Sequence, residues 1–208
     1  MPSILVHVAL AGLVGAGLLG EDFTPRAAAA VMLVAAVPDL DAFVAIVAPG
    51  AHRVVLHTLF VPVVAGGALA YDLRAGRRSI VRGRWGDRGV RVAWVALAAL
   101  LLAGILPDLF TNGVNALYPA YDRFYVVDGT IELSSERGVV QTVVETDSAG
   151  RRYTTENLRY HTGFNPAHSP TSRPAERVFP VADSGTELLL LLVSAFVVGA
   201  RLLESGRR

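Results

Sequence analysis

Residues 92–110 read "VAWVALAALLLAGILPDLF". A hydrocarbon core of about 30 Å is crossed by roughly 20 residues of helix, so a run of this length and apolarity reads as a membrane span. It closes on a carboxylate, Asp108. An earlier apolar run closes the same way, "AAVPDLDAF" at 35–43, and "HRVVLHT" at 52–58 follows it after a short apolar stretch. An unpaired charge in such surroundings costs several kcal/mol or more. Charges placed here therefore need partners, and finding those partners decides what the apolar runs build.

Four further runs approach span length: 3–20, 27–49, 54–71 and 187–203. Of the 208 residues 52% are hydrophobic and only 18% charged, with a mean hydropathy of +0.45. Soluble domains carry roughly 25% charged residues. The expected fold is an all-α multi-span membrane helix bundle of about five spans. Its first run lacks a basic leader region and reads as a span rather than a cleaved signal. A net charge of +1 gives no electrostatic case for nucleic acid, so the partner expected is the lipid bilayer. With no cysteine, disulfides, thiol nucleophiles and thiolate metal sites are excluded.

The connection 72–91 holds seven arginines against two aspartates, and Arg201, Arg207 and Arg208 follow the last run. The positive-inside rule places both on the cytoplasmic side of a multi-pass cell-membrane protein, and the segment after residue 110 outside. Three regions are expected: a four-span bundle at 1–111, an external β-rich cap at 112–184, and a fifth span with a basic cytoplasmic tail at 185–208. In the cap, "RFYVVDGTIELSS" (123–135) predicts two strands joined at Asp128-Gly129, and "GVVQTVVETD" (138–147) a third.

On this topology the buried polar residues fall at one depth. His7, Asp39, Asp41, His52, Arg53, His57 and Asp108 all lie near the outer ends of four apolar runs, and nothing comparable interrupts the inner halves. Residues two apart diverge by about 200° on a regular helix. Asp39 and Asp41 can share a site only if Pro38 disturbs the helix between them. His52 is expected in the turn after "APGA". Imidazole and carboxylate together, without thiolate, suit a divalent cation such as zinc or manganese, and such an ion can acidify water and polarise a phosphoryl oxygen. His7, Asp39, Asp41, His52, His57 and Asp108 are the candidate metal ligands. Asp41 is also a candidate general base, and Arg53 a candidate clamp for an anionic substrate group. His161 and His168, in a loop rich in Pro and Ser, read as ordinary loop histidines.

These motifs resemble the membrane-bound metal-dependent hydrolases, the LexA-regulated inner-membrane family. Its pattern is an early histidine, Pro-Asp-x-Asp, His-Arg-Gly-x-x-His-Ser, then Ser-His-x-x-x-Asp and a Tyr-Pro. His7, Pro38, Asp39, Asp41, His52, Arg53, His57, Asp108 and Tyr118-Pro119 match it, over residues 1–128. Val54, Thr58 and Gly104 depart from it, Gly104 standing where the family has a histidine. The resemblance implies hydrolase chemistry. The expected function is a membrane-embedded metal-dependent hydrolase acting on a phosphoester or related bond of an amphiphilic substrate at the outer leaflet. The alternatives are a non-catalytic membrane scaffold and a metal- or ion-handling membrane protein; a polar path through the inner half would favour ion handling.

Overall fold

The computed structural model describes residues 3–47, 51–111, 113–145, 153–158 and 179–207. His161 and His168 lie outside them. The described chain is mostly helical. Helix α1 spans Ile4–Leu18 and α2 spans Pro25–Ala35. The start of α2 is set locally: Thr24 accepts a hydrogen bond from the Ala27 N–H, and Pro25, which needs no N–H partner, takes the first helical position. A 3-10 turn at Pro38–Leu40 separates α2 from α3 (Asp41–Val47), and the two helices are bent by 48°. Proline removes a ladder donor and clashes with the preceding turn, which explains the break.

Helix α4 (Phe60–Arg74) is joined by a tight corner to α5 (Ile80–Ala99). That corner is tied by Asp72, which accepts from the Ser79 hydroxyl at 2.6 Å and from the N–H groups of Ile80 and Val81. Part of the arginine-rich connection is thus already helix. A π-helical turn, Leu100–Ile105, carries α5 into α6 (Leu106–Thr111). Helix α7 spans Gly185–Ser205, with Ser184 as its N-terminal cap.

The core between α1, α2 and α5 is built from small residues. Ala11, Ala27, Ala28, Val31, Ala35, Ala96, Ala99 and Ala103 are buried together beneath Leu19 and Phe23. Without bulky side chains the helix backbones approach closely, as membrane helices do. Helix α7 docks on α1 at a similar contact: the Ser194 hydroxyl donates to the Ala9 carbonyl at 2.7 Å, beside Gly12. The outer faces are apolar and exposed, including Leu33, Val63, Val64, Leu188 and Phe196.

The expectation of about five full spans is corrected. Among the described residues two helices, Ile80–Thr111 and Gly185–Ser205, are long and apolar enough to cross a membrane, or three if the bent pair α2–α3 counts as one broken span. Helices α1 and α4 have 15 residues each, about 22 Å at 1.5 Å per residue and short of a 30 Å core. Helix α4 starts six residues after the apolar run at 54, because the chain forms turns through His57.

The hairpin is also placed differently. Asp128-Gly129 lies inside strand β1 (Val127–Ser134), which pairs antiparallel with β2 (Gly138–Glu145) from Val127↔Glu145 to Ser134↔Gly138. The turn falls at 135–137 because Ser134 Oγ accepts from the N–H groups of Glu136 and Arg137, and Gly138 takes φ +69°. A three-residue loop closed by a left-handed glycine is a standard hairpin solution. Among the described residues the three strands expected are two.

Candidate metal centre

His7 is fully buried on α1, one helix turn from its start. Its Nδ1 lies 2.6 Å from the carbonyl oxygen of Ala103, in the π-helical turn across the bundle. A carbonyl only accepts, so Nδ1 carries a proton and donates it there. Nε2 faces two carboxylates, with Asp108 Oδ1 at 3.7 Å and Asp39 Oδ1 at 3.9 Å. The helix break at Pro38 turns Asp39 toward α1 while its side chain remains 20% exposed.

Asp41 sits two residues on, fully buried, and faces the 52–58 turns instead. Its Oδ1 accepts from His52 Nδ1 at 2.7 Å, and its Oδ2 accepts from His57 Nδ1 at 2.8 Å and the Arg53 N–H at 2.9 Å. The break therefore lets both aspartates turn inward, but toward different histidines. One carboxylate thereby fixes the tautomers of two imidazoles, as it did not need to for His7.

Asp108, at the start of α6, joins the two halves. Its Oδ1 accepts from Arg53 Nη2 at 2.7 Å; its Oδ2 lies 2.9 Å from His57 Nε2. The latter pair is close but off the axis of a hydrogen bond, and His57 Nε2 is buried without a hydrogen-bond partner. His7 Nε2 and Asp39 Oδ2 share that state. Buried polar atoms are rarely left so. Arg53 is fully buried too, with Nη1 3.4 Å from the Gly113 carbonyl. Its backbone takes φ +63°, uncommon without glycine. It is held there by Asp41 on its N–H and by the Asn115 N–H on its carbonyl at 3.0 Å.

All seven residues singled out by sequence are thus brought together: His7, Asp39, Asp41, His52, Arg53, His57 and Asp108. Three others escaped notice. Asn115 is fully buried, braces Arg53 through its backbone, and donates its side chain to Asp122 at 2.6 Å. Ala103 and Gly113 contribute only carbonyls, for which a sequence carries no side-chain signal. The 52–58 turns are stitched to the segment after α6, where the Ala116 carbonyl accepts from the Leu59 N–H and the Thr58 hydroxyl.

Gly104 is packed hard against the Pro38 turn. A Cβ there would sit 2.7 Å from the Ala35 carbonyl oxygen and 3.3 Å from Pro38 Cγ. No histidine fits at 104 without displacing the turn that carries Asp39.

His7, Asp39 and Asp108 each offer a ligand atom, all within 4.8 Å of one another, and together could hold a metal ion. Ligand atoms around zinc lie about 3.4 Å apart in a tetrahedron of 2.1 Å bonds, so these three must draw closer to share one cation.

The family model of the YdjM inner membrane proteins matches residues 1–161. No curated protein and no solved structure matches the chain.

Proposed function

The chain belongs to the YdjM inner membrane protein family, and we propose that its buried cluster makes it a metal-dependent hydrolase of a phosphoester or related bond. The observation that carries this reading is the state of its histidines. Each of His7, His52 and His57 has Nδ1 on a protein oxygen, which directs Nε2 of His7 toward Asp39 and Asp108 and Nε2 of His57 toward Asp108. Outer-shell acceptors that fix imidazole tautomers are the usual support of a metal site.

In this reading His7, Asp39 and Asp108 hold one cation, and His57, across Asp108, supports a second position with His52 beside it. Zinc or manganese suits this donor set. A bound divalent ion would acidify a water and polarise the phosphoryl oxygen. Asp41 has both oxygens engaged by its own chain, so it orients His52 and His57 rather than meeting substrate. Arg53 balances Asp108 and acts on the substrate only through it. Asp39 keeps 20% of its side chain exposed, and its Oδ2, buried without a hydrogen-bond partner, would take the proton of a water that entered the cluster.

The substrate proposed is amphiphilic and held at the outer leaflet. Leu40 and Phe43, exposed beside Asp39, offer an apolar surface for its tail. External placement rests on the arginines: Arg91 and Asp108 are 17 residues apart along one helix, about 25 Å, which puts the cluster at the end opposite the basic connection. The helical region at 1–111 then carries the site, the segment after α6 braces its 52–58 turns through Asn115 and Ala116, and 185–208 adds the last span and tail.

The test is elemental analysis of protein purified in detergent, beside Asp39→Ala and His57→Ala. One or two equivalents of metal, lost in both folded variants, together with metal-dependent release of phosphate from an amphiphilic phosphoester, support the proposal. Metal without hydrolysis leaves metal handling. A folded wild type that takes up neither zinc nor manganese leaves the scaffold.

A further inference from the structure

At the end opposite the cluster, α5 does not begin as a straight continuation of its span. Gly86 takes φ +66° and ψ −165°, which no helix allows, so residues 80–85 turn away from the helix that follows. This short piece has both apolar and basic character. Ile80 and Trp85 are 73% and 59% exposed, while Arg82 and Arg84 are exposed beside them. The Arg84 guanidinium lies 5.5 Å from the centre of the Trp85 ring. Tyr71, one corner away, is exposed as well.

The depth of this piece is pinned. Arg88 and Arg91 meet Asp22 at 3.0 and 3.5 Å, and Arg201 donates to the Gly20 carbonyl at 2.7 Å. Those contacts bring the α1–α2 turn, the start of α5 and the end of α7 to one level. Trp and Tyr at helix ends settle at the headgroup level of a bilayer. The charge at this level is unbalanced. Arg82 is matched by Asp87 at 2.9 Å, and Arg88 and Arg91 by Asp22. Arg74, Arg78 and Arg84 meet no carboxylate among the described residues.

We infer that residues 74–85 form an in-plane anchor that binds anionic phospholipid headgroups of the leaflet on its side. Ile80 and Trp85 enter the acyl boundary; Arg74, Arg78 and Arg84 take the lipid phosphates. Basic residues at a membrane surface attract anionic lipid by about fivefold each. This assigns a ligand to the arginine-rich corner independently of the chemistry at the other end.

The test uses Trp85 as a probe. With Trp94→Phe, Trp85 is the remaining tryptophan of the chain. The full chain is placed in vesicles of phosphatidylcholine with a quarter phosphatidylglycerol, one or the other lipid brominated on its acyl chains. Quenching per brominated lipid several-fold stronger for phosphatidylglycerol supports the anchor. That preference falls to a ratio near one in R78Q/R84Q and survives in R78K/R84K, both verified as helical by circular dichroism. Equal quenching by both lipids overturns the headgroup assignment. No quenching by either overturns the in-plane placement.

Discussion

The two ends of this bundle use the same ion pairs to opposite effect. At one end, Asp41, His52, Arg53, His57 and Asp108 are buried and paired to one another at 2.7–2.9 Å. At the other, Arg82 and Asp87 pair at 2.9 Å with side chains 45% and 89% exposed, and Arg88 reaches Asp22 while 63% exposed. Distance is nearly equal; solvent is not. Exposed pairs contribute about 0–1 kcal/mol, whereas removing one partner of a buried pair costs about 3–5 kcal/mol, because the other charge is stranded. The lesson is that an ion pair's length says little about its weight until its burial is known.

Asp108→Ala puts the greatest strain on that comparison. It strands Arg53 and should lower stability by about 3–5 kcal/mol, read by thermal unfolding in detergent, with part of the loss recovered in Asp108→Ala/Arg53→Met. Asp22→Ala, at the basic end, should cost about 1 kcal/mol or less. Equal losses in the two variants would break the contrast. Next in size is Gly104→Ala. Its Cβ meets the Ala35 carbonyl, and forced contacts of this kind cost about 1–3 kcal/mol. Gly67→Ala, with open space around its Cβ, should be neutral or stabilising by up to about 1 kcal/mol.

Asp41→Asn sharpens the contrast by chemistry rather than stability. Loss of an orienting carboxylate typically weakens a metal site 10–100-fold, and zinc titration of the detergent-solubilised protein checks it. Unchanged affinity would mean that Asp41 does not set the two imidazoles. The smallest effect lies at Asp72, whose carboxyl is held below the usual carboxylate range by the Ser79 hydroxyl and then by the N–H of Ile80. A carboxylate with a lowered folded-state pKa stabilises above its unfolded value of about 3.9 and loses that contribution as pH falls through the folded value. Amide exchange at Ile80 and Val81 should therefore quicken, relative to neighbouring amides, only in acid below about pH 4, and Asp72→Asn should abolish that pH dependence. An exchange rate that tracks neutral pH instead would dismiss the tie.

The cluster was legible because a charge within an apolar run must be compensated, and the chain offers few candidates. Seven residues meet for that reason. Their division of labour was not legible. Whether Asp41 faces solvent, metal or histidine depends on a 48° bend that Pro38 permits but does not dictate. Gly104 read as a gap in a motif, yet its closeness to Ala35 is a packing contact between segments 69 residues apart. The apolar runs at 3–20 and 54–71 counted as spans because hydropathy ignores where a helix starts; Phe60 begins α4 only after His52, Arg53 and His57 have been drawn into the cluster. Asp128-Gly129 misled by local chemistry alone, since the Ser134 hydroxyl and Gly138 offered a better turn nearby.

The position of Asp108 in the chain has a consequence for biosynthesis. His7, Arg53 and His57 are all translated before the carboxylate they share, the last of them by 51 residues. At 5–20 residues per second this is a delay of roughly 3–10 s. Throughout it Arg53 has no Asp108 to meet, and a cation buried without a partner is costly. The buried arrangement of the 52–58 turns therefore closes only when α6 arrives. The helix that brings Asp108 is the step that completes the buried cluster.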